Sequence, residues 1–211
     1  MKEPMSSMDF KSEFENFYKN KFGTAELNPP VFERFPMCVR FNIGDSKIDD
    51  EKEYIKQSTL RAQTIFDELF RKDDAIYLIV DSYAKFQDFY DGISYNNIDI
   101  IRPFVLKQTN ECCYEKLFYK HDDTVEENPY SRYIIETSVN SLNKNELLSQ
   151  IIKSELGGNY SLSDSLYIIN KNTGVLYFLY NDVGLDVVSG DKNLLESVST
   201  KFAKWVSDIK L

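Results

Sequence analysis

The chain has 211 residues, of which 25 are Lys or Arg and 34 are Asp or Glu, giving a formal net charge of −9. Apolar residues make up 42% and charged residues 28%, a composition that excludes a collagen, a disulfide scaffold and a wholly disordered chain. Residues 1–100 hold 19 acidic and 13 basic groups and residues 101–211 hold 15 and 12, so no basic stripe offers itself to nucleic-acid phosphates or to an anionic membrane.

In chain order, Met8–Phe22 is predicted as a helix, because Phe10, Phe14, Phe17, Tyr18 and Phe22 recur at spacings of three and four and share one face. Gly23 stops it. Pro36–Ile43 alternates as a strand. Asp49–Arg71 is the best-marked helix, with three acids in its first turn and two bases after its apolar stripe. Ala75–Tyr83 follows as a strand apolar on both faces. Strand, helix and strand in this order suit a right-handed parallel crossover.

Lys85–Tyr90 suits a short helix. Ile98–Lys107 and Cys112–Tyr119 are expected as two strands joined by a hairpin turn at Gln108–Glu111. His121–Asn128 is an acidic loop and Tyr130–Val139 another strand. Asn143–Leu156 is a helix, with Asn143 and Glu146 spaced as a capping box. Leu166–Asn170 and Val175–Tyr180 form a hairpin around a Gly-containing turn. A second turn, Asn181–Gly184, leads to the strand Leu185–Val188, and Asp191–Ile209 closes the chain as a long helix. These elements make an α+β fold: a mixed, mainly antiparallel sheet covered by about four helices, with a C-terminal hairpin followed by a long helix. The whole of 1–211 is expected as one domain, with room for residues 1–30 to stand as an N-terminal helical appendage.

The common catalytic arrangements are missing from the sequence. The single histidine, His121, sits beside Asp122 and Asp123 and reads as a solvated loop residue rather than a general base. There is no GxSxG elbow, no GxxxxGK[ST] and no GxGxxG. The cysteines, Cys38 and the adjacent pair Cys112 and Cys113, have neither a disulfide framework nor zinc spacing, as in a reducing cytosol. The N-terminus lacks the apolar core of a secretory signal, and no apolar run approaches the roughly 20 residues of a membrane span. A cytoplasmic location is expected, with no cofactor and no metal.

The best carboxylate pair is Asp182 and Asp186, which flank Gly184 after an apolar strand. Two carboxylates at a strand end suit a divalent cation or a basic partner. They equally suit a turn that Asp and Gly favour. Asp81, at the end of its own strand, has the same two readings. Tyrosines gather near strand ends, and Tyr180 lies next to the carboxylates. Tyr180, Asp182 and Asp186 are therefore the candidate binding residues, since aromatic side chains dominate interface hot spots.

The run from Leu166 to Ile209 (LYIINKNTGVLYFLYNDVGLDVVSGDKNLLESVSTKFAKWVSDI), together with FYKNKFG at 17–23, RFNIG at 40–44 and LRAQTIFDELFRKDDAIYLIVDSY at 60–83, resembles the bacterial family known as domain of unknown function 3885. That resemblance implies a fold and transfers no catalytic residue. The last hairpin, its acidic turn and the Trp-bearing helix also resemble immunity proteins of bacterial polymorphic toxin systems, which are small acidic cytosolic proteins that bind and block a toxin domain. The expected function is accordingly a non-enzymatic protein-binding module, an immunity protein neutralising a basic toxin domain, with no nucleic-acid or membrane partner. The alternatives are an enzyme using carboxylates or a divalent metal, and a structural or regulatory homo-oligomer.

Overall fold

The computed structural model describes residues 6–82, 97–119, 125–156 and 165–211. The expected helix at Lys85–Tyr90, the histidine at 121, and the tyrosines at 83, 90 and 95 lie outside the described residues. The elements, in order, are α1 (Ser7–Phe22), α2 (Val31–Arg34), β1 (Cys38–Asn42), α3 (Glu51–Leu69), β2 (Ala75–Ser82), α4 (Asn97–Ile101), β3 (Gln108–Tyr119), β4 (Val125–Ser138), α5 (Lys144–Glu155), β5 (Leu166–Asn170), β6 (Leu176–Leu179), β7 (Gly184–Val188), α6 (Lys192–Lys201) and β8 (Val206–Lys210). The strands form one eight-stranded sheet in the order β3-β4-β2-β5-β6-β7-β1-β8. The α+β class with a mainly antiparallel sheet is the observed one, and every neighbouring pair among the described residues is antiparallel.

Strand alternation divides the core between two faces of the sheet. One face carries Val39, Phe41, Ile76, Leu78, Val80, Ile135, Leu185 and Val187 and is covered by Ala62, Ile65 and Phe66 of α3, Leu148 and Ile152 of α5, and Leu195 and Val198 of α6. The other face carries Cys38, Tyr77, Ile79, Ile134, Tyr167, Phe178 and Val188. The N-terminal segment covers it. Phe10 and Phe14 of α1 are buried there, Phe14 edge-on to Tyr77 with ring centroids 5.1 Å apart, and Val31, Phe32 and Phe35 continue the layer. Burial of the central strands on both faces explains why β2, β5 and β6 read as continuous apolar runs.

Helix ends follow local chemistry. Asp50 caps α3 by accepting from the Glu53 amide at 2.9 Å, Ser6 caps α1, and Asp191 caps α6. Gly23 ends α1 with φ of 65°, where a side chain would be strained. Asn143 precedes α5, yet its side chain makes no capping bond; its amide donates to the Phe104 carbonyl instead, so the expected capping box is not formed.

Three further expectations are corrected, and the parallel crossover is met between strands that are not neighbours. Residues 97–104 are helical rather than extended: Ile98 and Ile101, three apart, bury one face of α4, a 3₁₀ turn at Arg102–Phe104 follows at Pro103, which lacks an amide donor, and of the expected strand only Val105 makes a bridge, to Leu142. The residues expected as a hairpin turn, 108–111, are the start of β3, whose partner is β4, with Glu111 opposite Ile135. The crossover from β1 through α3 to β2 joins strands of the same direction, but β7, β6 and β5 lie between them. The final helix stops at Lys201. Phe202 and Trp205 stack with centroids 5.2 Å apart, the Trp205 carbonyl accepts from the Asn42 amide at 2.7 Å, and the chain leaves as edge strand β8, with Ile209 opposite Val39. The three-and-four spacing that suggests a helix through Ile209 is shared with a turn that stacks the two rings.

Candidate functional site

Asp182 and Asp186 are four residues apart, but the sheet separates their side chains. Asp182 accepts the Tyr54 hydroxyl of α3 at 2.7 Å. Gly44 makes this approach possible, because a Cβ there would lie 2.4 Å from the Tyr54 hydroxyl. Burial and the Asp182 carboxylate push the Tyr54 hydroxyl up to about 12. Asp186 turns to the opposite face, towards α2. It is 1% exposed and accepts Arg40 Nε at 2.8 Å, Arg40 Nη2 at 3.0 Å and the Phe32 amide at 3.0 Å. Arg40 and Asp186 are directly opposed in the β1–β7 register. Tyr180 is half-buried beside this pair, its ring 5.8 Å from the Arg40 guanidinium. It lies directly on Gly184, where a Cβ would be 1.9 Å from the Tyr180 hydroxyl oxygen. The structure thus brings Tyr180 and Asp186 together and sends Asp182 elsewhere.

A second registered pair occurs on the same face. Asp81 of β2 stands opposite Arg132 of β4. Arg132 Nε and Nη2 donate to the two Asp81 oxygens, each at 2.6 Å, and Nη2 also donates to the Leu27 carbonyl at 2.6 Å. The side chains are 1% and 2% exposed. A charge this deep is tolerated only with a fork-shaped partner and its remaining donors and acceptors engaged. The two pairs therefore hold the two ends of one connection: Arg132 takes the carbonyl of Leu27 and Asp186 takes the amide of Phe32. Between those points the Pro29–Pro30 peptide bond is cis.

Above Arg132 lies a cavity of about 240 Å³. Its walls are Phe14, Glu15 and Tyr18 of α1, residues 23–27, Tyr114 of β3 and Arg132 itself. Tyr18 and Phe14 pack with centroids 5.9 Å apart, and the Tyr18 hydroxyl donates to the Ala25 carbonyl at 2.9 Å, which fixes that wall. The Tyr114 ring carries the Lys11 ammonium 4.5 Å from its centroid, a cation–π distance. Burial pushes the Tyr114 hydroxyl up to about 12 and the Tyr18 hydroxyl higher still, so both are neutral donors at neutral pH. Glu15 and Glu26 are about half exposed, at 55% and 53%.

Among the described residues no three His, Cys, Asp or Glu side chains gather as a metal set, and no helix is long and apolar enough to cross a membrane. Burial pushes the Cys38 thiol far up and the Cys112 thiol to about 11, so neither is a ready nucleophile. Sequence reasoning missed Arg132, Arg40, Tyr114 and residues 23–27. The signal for the arginines is a base inside a strand that comes to stand directly opposite an aspartate. Nothing local marks the cavity, which joins a helix, a loop and two strands distant in the chain.

No solved structure is significantly similar to this chain. The chain is 22% identical over 209 residues to "Uncharacterized protein YnaE" of Bacillus subtilis (strain 168), an alignment covering 92% of this chain and 97% of that relative. The family described as "Domain of unknown function (DUF3885)" matches residues 14–210, a span that includes both arginine–aspartate pairs and the cavity wall from Phe14 onward, and the chain belongs to that family.

Proposed function

We propose that the protein is a non-enzymatic protein-binding module of the bacterial cytoplasm, an immunity protein that binds a basic toxin domain and blocks it. The observation that carries this reading is the fate of the carboxylates. Asp81 and Asp186 are each consumed by an arginine fork, and Asp182 is bonded to Tyr54 across the sheet from Asp186. Paired-acid chemistry needs two carboxylates converging on one reacting atom, and these three do not converge. What supports binding instead is the acidic balance of the chain, −9, which speeds encounter with a basic partner and suppresses acidic ones. The test is capture by the tagged full chain from lysate of its own organism, at low and at high salt. The expected result is one basic protein held stoichiometrically and released by salt, whose expression alone arrests growth and whose co-expression with this chain does not.

A second reading, a structural or regulatory homo-oligomer, draws on β8. This edge strand exposes Ile209 at 43%, and Leu211 beyond it is exposed to the same degree. A strand edge of this kind can pair with a second copy. Sedimentation over a wide concentration range separates the two: a monomer throughout removes the oligomer.

A further inference from the structure

We propose that the cavity above Arg132 receives one aromatic side chain of the basic partner, and that Lys or Arg residues flanking this anchor meet Glu15 and Glu26 at its mouth. This inference rests on the protein-binding reading and specifies where and how it occurs. Size comes first. Sites that enclose a drug-sized ligand measure roughly 300–1,000 Å³, whereas this cavity measures about 240 Å³, which suits a single inserted side chain.

Chemistry selects an aromatic one. Phe14, Tyr18 and Tyr114 present rings on its walls, and an inserted ring gains offset or edge-on contacts with them. Arg132 at the floor offers a guanidinium, which attracts the face of a ring. A lysine or arginine tip would instead meet a floor whose carboxylate, Asp81, is already engaged by Arg132. Asp81 and the Leu27 carbonyl hold Arg132 in place, so the floor is set before binding and little ordering is needed.

Charge at the mouth selects the flanking residues. Glu15 and Glu26 line the cavity. The bases paired with them, Lys11 at 3.6 Å and Arg34 at 3.7 Å, are half-buried, sit beyond hydrogen-bond distance and do not line it. Desolvated by a partner, those carboxylates favour Lys or Arg beside the anchor.

The experiment is an amide-resolved NMR titration of the full chain with the peptide acetyl-Lys-Tyr-Lys-amide. Saturable shifts are expected at residues 23–27 and at Tyr18 and Tyr114. Acetyl-Lys-Leu-Lys-amide and acetyl-Glu-Tyr-Glu-amide should each bind about tenfold more weakly. Ala25→Trp, which fills the cavity, should abolish the shifts. Should that variant fail to fold, the paired surface changes Glu15→Lys and Glu26→Lys should weaken the peptide about tenfold. Equal response to the leucine or the glutamate peptide, or an unchanged response in these variants, overturns the inference. Capture from lysate separates it from its premise. A partner held equally by the wild-type chain and by folded Ala25→Trp overturns the cavity and leaves protein binding standing. An intact peptide response with no protein captured overturns the protein-binding reading and leaves the cavity's preference for an aromatic flanked by bases.

Discussion

Asp81 and Arg132 face each other across β2 and β4, and the arginine's third bond ties the pair to the Leu27 carbonyl. Arg40 and Asp186 repeat the arrangement across β1 and β7, with the bond to Phe32 made by the aspartate. The acid and base exchange roles: at one end of the connection the base reaches a carbonyl, at the other the acid reaches an amide. The N-terminal layer is thus fastened to the sheet by two polar clamps as well as by the burial of Phe10, Phe14 and Phe35.

Breaking one clamp should cost far more than removing it whole. Asp81→Asn leaves the Arg132 charge buried without its counter-ion and should destabilise by about 3–5 kcal/mol. The double change Asp81→Leu with Arg132→Met should recover most of that loss. Urea unfolding midpoints of the singles and the double check this. Asp186→Ala should in addition speed hydrogen exchange at the Phe32 amide, whose acceptor it removes.

Gly184 is required by contact rather than by backbone angle. Gly184→Val would place side-chain atoms where the Tyr180 ring lies, forcing the ring away from Arg40 and Asp186. A loss of about 1–3 kcal/mol is expected from overpacking. Tyr180→Ala in the same background should restore part of it, measured as a coupling in a double-mutant cycle.

Alkaline pH should weaken the fold. Burial raises the hydroxyls of Tyr54, Tyr77, Tyr114 and Tyr180 to about 12 each, against roughly 10 in the unfolded chain. Below pH about 10 both states keep these protons. Between about 10 and 12 the unfolded chain loses them first, so stability falls as pH rises. Urea midpoints across this range, with tyrosinate absorbance recorded alongside, check the sign. A midpoint that stays flat from pH 9 to 12 would contradict it.

Thiol reactivity should separate the three cysteines. Cys113 is exposed, while Cys38 and Cys112 are buried with raised thiol pKa values. At pH 8 a thiol-specific disulfide reagent should modify one cysteine quickly, and the other two only on unfolding. Mass spectrometry of the labelled chain identifies the order.

The fold was legible wherever one physical rule decided it. The stripe of α3, the alternation of β1 and the doubly apolar β2 and β5 follow from periodicity and burial. It was not legible where two structures share a spacing. Phe202 and Trp205 suit both a helix and a stacking turn, and the run at 98–101 suits both a strand, through Ile98 and Ile100, and one turn of helix, through Ile98 and Ile101. The candidate site was legible in part. Tyr180 and Asp186 do meet, but through Arg40, whose role depends on a register between β1 and β7 that lies 146 residues away in the chain. The position of Asp182 depends on Tyr54 and Gly44, and the cavity depends on how α1 lies on β3 and β4. Those are tertiary facts with no local mark.

The proposed work of this chain is to hold a basic protein. Its most direct measurement is the stoichiometry and salt dependence of capture by the tagged full chain, followed by a growth assay of the captured protein with and without this chain. One basic partner, bound one to one, weakened by salt and harmless only in this chain's presence, is the predicted result. A chain that retains no protein at low salt, or a partner whose toxicity is unchanged by it, would contradict the claim.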